Sequence, residues 1–223
     1  MIDEVTARLL EAIGRGDRDD PIVLRFLLRR FRATGRDDLR DALGPALARA
    51  LDQHAGDVAM QRRAEWLTLF AEAATVSDDE RMRETAGDLL AAVSRCWRSA
   101  TTTAEAAAAL EACLGAACVV DNRNAIAAAI DELERVVGPA YSPGEGLLDP
   151  SGAFELADQI YAASALLTAY EISGRLPYSM LAEELMQTAQ RQGWDAWRQA
   201  PRALDDPREA AAYGLALLEL LVQ

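Results

Sequence analysis

The feature of this sequence that most constrains the fold is a helix-stop signal at the end of two similar apolar segments. Residues 27–36 read LLRRFRATGR and residues 166–175 read LLTAYEISGR, so each copy ends in a hydroxyl residue, a glycine and an arginine. Glycine after an apolar run is typical of a helix C-terminus, because it adopts the left-handed conformation at no steric cost. Weaker turns occur at 75–78 and 120–123. Turns that recur about 40 to 55 residues apart indicate stacked helical hairpins.

Apolar residues at helical spacing cover most of the chain, whereas alternating segments typical of strands are nearly absent. The longest stretch without a helical pattern is 138–152. The length fits one domain. We therefore expect a single all-α domain over 1–223, with about ten helices in stacked antiparallel hairpins that form a partial (α/α) toroid or curved repeat array. The pattern predicts a flanking helix over 2–13, hairpins from 21–34 with 39–51, 60–74 with 79–99, 103–119 with 124–137 and 154–173 with 179–191, and a last helix over 207–222.

The charge of the chain limits its partners. The net charge is -13, and so acidic a surface repels phosphate backbones and anionic lipids. We therefore expect neither nucleic acid nor membrane binding, whereas a basic partner, a cation or a neutral ligand remains compatible. All 23 basic residues are arginine, and this excludes mechanisms that need a lysine, such as Schiff-base chemistry. Three cysteines without a CxxC pair, and a start without a signal-peptide pattern, predict a soluble cytoplasmic protein.

The sequence offers little for a metal or cofactor. Asp37, Asp38 and Asp41 match the DDxxD string with which isoprenoid enzymes hold magnesium, but they stand at a predicted helix start, where carboxylates are favourable caps. His54 is the single histidine. Trp194 and Trp197 could form a sugar platform or close a helical core. We expect no metal site and no cofactor.

The best candidates for a ligand-facing site are polar residues in and beside the segment 141–158. Paired carboxylates can carry out acid–base chemistry on glycosidic bonds if they face each other across a cleft. Long loops in compact domains are often functional. The remaining possibility is that these carboxylates are solvated or cap helices. The candidate residues are Tyr141, Glu145, Asp149, Glu155, Asp158 and Tyr161.

The segments 148–159 and 165–175, together with the similar pattern over 31–51, resemble the helical-hairpin repeats of α/α-toroid proteins. The resemblance is to the toroid part of thioredoxin-domain-containing proteins of the spermatogenesis-associated type. It extends more loosely to the six-hairpin glycosidase and N-acylglucosamine epimerase superfamily. The chain departs from these proteins, since it has four hairpins rather than six, no CxxC and one histidine. The resemblance thus implies a partial or open toroid more than any activity.

These observations favour a non-catalytic helical-repeat protein, a scaffold or accessory subunit of the bacterial cytoplasm that binds a protein partner or a second copy of itself. The alternative is a carbohydrate-binding or carbohydrate-active α/α-toroid enzyme that uses the loop carboxylates on a neutral sugar. The first hypothesis depends on the repeats and on the lack of a nucleophile, a metal motif or a phosphate loop in the sequence.

Overall fold

The computed structural model of the chain describes residues 2–14, 19–56, 59–77 and 79–192, together with 207, 208, 211 and 215. Within these ranges the chain is all-α, as the sequence predicts, apart from one short β-hairpin. The helices are α1 Ile2–Gly14, α2 Pro21–Thr34, α3 Asp37–Gln53, α4 Met60–Ala74, α5 Glu80–Cys96, α6 Thr103–Val119, α7 Arg123–Ala140, α8 Leu156–Ser173 and α9 Leu176–Gln192. The strands are β1 Tyr141–Ser142 and β2 Gly146–Leu147, which pair antiparallel.

Both copies of the helix-stop signal form the same local structure. Gly35 and Gly174 have left-handed backbones, with φ of 64° and 68°, and each N–H donates to the carbonyl four residues back at 2.7 Å. The preceding hydroxyl residues, Thr34 and Ser173, also donate to the carbonyls four residues before them. These bonds satisfy backbone carbonyls that the helix end would leave unpaired. Because each helix ends so sharply, the next begins after only two linking residues.

The helices pair into hairpins and pack in two layers. Helices α2, α4, α6 and α8, here called the A layer, pack side by side in that order. Each of them also packs against the helix that follows it, and we call these following helices, α3, α5, α7 and α9, the B layer. Helix α1 packs against both helices of the first hairpin. The four hairpins expected from the sequence are therefore confirmed.

The helices of the A layer run in the same direction. Asp20, the N-cap of α2, bonds Arg62 in the first turn of α4, whereas Arg29 bonds Glu72 near the other ends of the two helices. A carboxylate in the first turn of α8 likewise accepts a hydrogen bond from a backbone N–H in the first turn of α6. We call the side of the layer where the helices begin the N edge, and the opposite side the C edge.

The core is continuous through both layers, and α6 and α8 occupy its centre. These two helices are apolar around most of their circumference, which is typical of helices covered on several sides. Many of the buried residues of α6 are alanines, so neighbouring helices can approach closely. On α2 and α8 the buried residues include Leu24, Leu27, Leu28, Ala165, Leu166 and Ala169, and Phe31 and Tyr170 pack partly buried against them.

Six predicted helix bounds differ from the structure by two or three residues, and two of these errors involve proline. Helix α7 continues through Pro139 to Ala140, and α9 begins at Leu176 before Pro177, rather than at 179. Proline is tolerated in a first turn, because the amide it lacks would have no helical partner there. Helix α8 begins at Leu156 rather than at 154. Helix α3 runs from Asp37 to Gln53 rather than from 39 to 51, and α5 ends at Cys96 rather than at 99.

The predicted last helix and the Trp194–Trp197 pair fall largely or wholly outside the described residues. Of the segment 207–222, the described residues are 207, 208, 211 and 215, and all four are helical. Ala211 and Leu215 are buried and belong to the same core as the A layer.

The neighbours Leu166 and Leu167 allow a test of this packing. Leu166 is 2% exposed and Leu167 is 37% exposed. We expect Leu166→Ala to lower the free energy of unfolding by about 2–5 kcal/mol, because it leaves a cavity in the core. Leu167→Ala should cost much less. Urea unfolding of both variants measures this, and similar losses for the two would contradict the assigned core face.

Candidate binding groove and loop carboxylates

An open groove runs across the A layer toward its C edge. Its cavity has a volume of about 240 Å³ and receives side chains from α2, α4, α6 and α8. One wall carries three arginines of α2, and the floor is formed by small residues of α4 and α6. The lining residues of this groove, here called the A-layer groove, are Arg25, Arg29, Arg32, Thr68, Ala71, Glu72, Thr75, Glu111, Ala112, Gly115, Ala116, Val119 and Thr168.

The arginine wall is ordered by one carboxylate. Glu72 accepts hydrogen bonds from Nε of Arg25 at 2.9 Å and from Nη2 of Arg29 at 2.8 Å. The side chain of Glu72 is largely buried, and burial alone would raise its pKa, but the charge of Arg25 and the hydrogen bond from Arg29 hold the pKa below its usual value. Glu72 is therefore a carboxylate at neutral pH, and it fixes two guanidinium groups against the groove.

Sequence reasoning missed this wall. The residues at 25, 29 and 32 stand at i, i+4 and i+7, so they share one face of α2. That spacing was the available signal in the sequence, but it does not show which part of the chain the arginine face contacts. The partner carboxylate lies 43 residues from Arg29 along the chain, and no local pattern connects the two.

At the N edge, four charged side chains from three parts of the chain form a cluster. Asp20 caps α2 by accepting from the backbone N–H of Ile22, and it also accepts from Arg62 at 2.7 Å and Arg208 at 2.9 Å. Glu65 of α4 accepts from the same two arginines. Burial would raise the pKa of Asp20, but the hydrogen bond from Arg62 and the charge of Arg208 lower it. The cluster thus ties residue 208 to the first two helices of the A layer.

A second cavity, of about 360 Å³, lies at the N edge of α6. It is lined by Gln61, Thr101, Thr102, Ala104, Glu105, Ala108 and Tyr161. Tyr161 is one of the residues singled out from the sequence, and it is 44% exposed here. Partial burial of its ring, together with the negative charges of Glu65 and Glu111, raises the pKa of its hydroxyl. Tyr161 is therefore a neutral phenol that faces a cavity.

Two of the other predicted site residues bond within their own loop. Asp149 accepts from Oγ of Ser151 at 2.6 Å and from the backbone N–H groups of Ser151 and Ala153, each at 2.8 Å. These bonds, the Ser151 hydroxyl first among them, lower the pKa of Asp149. Glu145 accepts from Oγ of Ser142 across the short hairpin. Both carboxylates therefore shape the turns in which they lie.

Asp158 and Glu155 lie at the start of α8. Asp158 is buried, and its carboxylate accepts from the backbone N–H of Ala104 at 2.7 Å, so it caps the neighbouring helix α6 from outside. Burial raises the pKa of Asp158 in spite of this bond. Glu155 is the exposed N-cap residue of α8 and makes no side-chain cap bond. Asp158 thus connects the N-terminal ends of α6 and α8.

Tyr141 holds the hairpin against helix α9. Its hydroxyl donates to Oε2 of Glu184 at 2.6 Å, and the other oxygen of Glu184 accepts from the backbone N–H of Gly144 at 3.0 Å. The bond to Glu184 raises the pKa of Tyr141 and lowers that of Glu184. Tyr141 is thus a structural anchor of the loop.

Gln159 of α8 also fixes the hairpin, through hydrogen bonds to the backbone of β2. Its buried amide accepts from the backbone N–H of Leu147 and donates to the carbonyl of Leu147, both at 2.8 Å. Gly146 has a left-handed φ of 88°, and a Cβ at this position would lie 2.6 Å from Oε1 of Gln159. The close approach therefore requires glycine at 146.

Among the described residues no group of three or more metal-ligating side chains comes together. Asp38 accepts from Arg36 and from the backbone N–H of Leu39, and Arg40 pairs with Asp37 and Asp41. The DDxxD string thus binds the arginines of its own helix start. His54 contacts the carbonyl of Leu51 through Nδ1 and lies edge-on to Phe70.

The hold of Gln159 on the hairpin can be tested with two glycines of similar φ. Gly152 has a φ of 82° but open space where a Cβ would be. We expect Gly152→Ala to cost about 1 kcal/mol in the free energy of unfolding, from the left-handed backbone alone. Gly146→Ala should cost clearly more, because the methyl group also displaces Gln159. Chemical denaturation of both variants measures the difference, and equal costs would disprove this role of Gln159.

The bonds of Glu72 predict a pH dependence. The pKa of Glu72 lies below its ordinary value of 4.5 in the folded protein, so its stabilising contribution is present above that pH and is lost as the pH falls through the folded pKa. We expect Glu72→Gln to lower the free energy of unfolding by about 2 kcal/mol at neutral pH, since it leaves two arginines without their anion. The difference from the wild type should shrink on acidification.

Exposed Glu84 on α5 provides a control for the same chemical change. Urea unfolding of Glu84→Gln should match the wild type at each pH. A gap for Glu72→Gln that stays constant from neutral to acid pH would contradict the ion-pair account.

None of the helices in the described part of the chain is both long and apolar enough to cross a membrane. No family model, no curated protein and no solved structure matches the chain.

Proposed function

We propose that this protein is a non-catalytic helical-repeat binding protein of the bacterial cytoplasm, a scaffold or accessory subunit that holds a protein partner or a second copy of itself. The observation that carries the proposal is the A-layer groove, which takes side chains from all four hairpins. Stacked helical repeats commonly bind partners on a surface shared by several units. We further infer that the array is a partial (α/α) toroid, with the groove on its lining.

The loop chemistry supports a binding role rather than a catalytic one. A carboxylate that acts as acid or base has to reach a substrate, yet Asp149 and Glu145 bond within their loop and Asp158 caps α6. Each of these three carboxylates thus has a structural role in a turn or a helix cap. The carbohydrate-active alternative stays a prediction, and none of these contacts favours it. Unchanged melting temperatures across a panel of monosaccharides and oligosaccharides would count against it.

Two glycines offer a matched test of the groove. Gly115 lines the groove on α6, and Gly87 lies on α5 in the B layer; a Cβ at either position meets nothing within 4 Å. Gly115→Trp should fill the groove without disturbing the core, while Gly87→Trp places the same ring elsewhere. Affinity capture from the host identifies a partner of the wild type, and light scattering measures self-association. We expect Gly115→Trp to lose the partner or the self-association, and Gly87→Trp to keep it.

Thermal melts of both variants show whether they fold. If Gly115→Trp retains the same partner or oligomer as the wild type, the groove is not the binding surface. If the wild type itself is a monomer that captures nothing reproducibly, the scaffold proposal fails.

A further inference from the structure

The A-layer groove differs in charge from the rest of the chain. The chain as a whole carries a net charge of -13, whereas the groove is lined by three arginines and two glutamates, Glu72 and Glu111. All three arginines are on α2, and Glu72 faces them from α4. The groove is therefore a local positive region on an acidic protein, which attracts anions in preference to the basic partners that the overall charge suggests.

The arginines are held in place before any ligand arrives. Arg25 uses its Nε to donate to Glu72, and the described residues supply no other acceptor, so its terminal nitrogens have hydrogen-bonding capacity left. Arg29 shares the same carboxylate. A guanidinium that is fixed by one carboxylate loses less conformational freedom when it binds a second anion.

Arg32 is the exposed member of the wall. It lies in the last turn of α2 and lines the groove, and within the described residues it makes no hydrogen bond or ion pair. Arginine presents its N–H donors in a planar fork that fits carboxylate and phosphate oxygens. Arg32 thus presents these donors next to Arg25 and Arg29, which Glu72 holds in place.

The floor of the groove leaves room for a ligand next to this wall. Ala112, Gly115 and Ala116 of α6 project little or no side chain, and a Cβ at Gly115 would meet open space. The volume of about 240 Å³ is smaller than the usual range of drug-sized sites, so it suits a small molecule or one end of a larger one.

We propose that the A-layer groove binds the oxyanion group of its ligand, a carboxylate or a phosphate, with Arg32 and Arg25 as the donors and Glu72 as the residue that positions Arg25 and Arg29. This proposal rests on the groove being the binding surface and adds the chemical class of what it binds. Carboxylate and phosphate oxygens accept hydrogen bonds from arginine in the same way, so separate carboxylate and phosphate probes are needed to distinguish them.

The test is isothermal titration calorimetry of the full chain at low ionic strength, with citrate as the carboxylate probe and inorganic phosphate as the phosphate probe. We expect at least one probe to bind. Arg32→Gln should weaken that binding about tenfold, the loss of one charge-assisted contact. Arg95→Gln removes an exposed arginine of α5 in the B layer and should bind as the wild type does. Added salt should weaken binding to the wild type.

The identity of the probe that binds shows whether the oxyanion is a carboxylate or a phosphate. Gly115→Trp should abolish the heat of binding, and Arg25→Gln should weaken it even if Arg32→Gln alone has a small effect. Binding of neither probe, or binding that all of these variants retain, would overturn the oxyanion proposal. A macromolecular partner lost in Gly115→Trp but kept in Arg32→Gln would leave the binding function intact and exclude the oxyanion as its basis.

Discussion

Helices α6 and α8 are apolar on almost every side, and water is kept from them only when a neighbour covers each side. Partners from both layers cover much of this surface, since α6 packs against α4, α5, α7 and α8, and α8 packs against α6, α7 and α9. The alanines of α6 allow these close approaches. The short links after Gly35 and Gly174 bring α3 and α9 back onto the helices before them. The A-layer groove lies where the covering layers leave part of the A layer open to solvent.

Local signals in the sequence predicted the hairpins well. A hydroxyl residue before a left-handed glycine encodes a helix end within a few residues, and Asp20 before Pro21 encodes a helix start in the same way. Two of the errors arose at proline, which is compatible with both a helix and its boundary, at Pro139 near a helix end and at Pro177 near a helix start. The hairpin of β1 and β2 was missed, because its strands have two residues each and depend on the distant amide of Gln159.

The candidate site was harder to predict than the fold, because charged residues acquire their roles from contacts distant in sequence. Asp158 looked like part of an acidic cluster but caps α6, 54 residues away. Arg25 and Arg29 share one face of α2, but the sequence does not show that this face meets Glu72 of α4. The net charge of the whole chain does not show such local groups of charged residues. The helical period shows which side chains share a face, while packing decides what that face meets.

The contacts of Arg208 have a mechanical consequence. In a stack of hairpins each unit contacts only its neighbours, so small changes at every interface add up and the stack bends or stretches like a spring. Arg208 bonds Asp20 and Glu65, so it connects a residue beyond α9 to the helices where the array begins. Bending that separates these parts has to break the ion pairs first. The ion pairs therefore resist separation of α2 and α4 at the N edge, where Arg208 bonds one carboxylate from each.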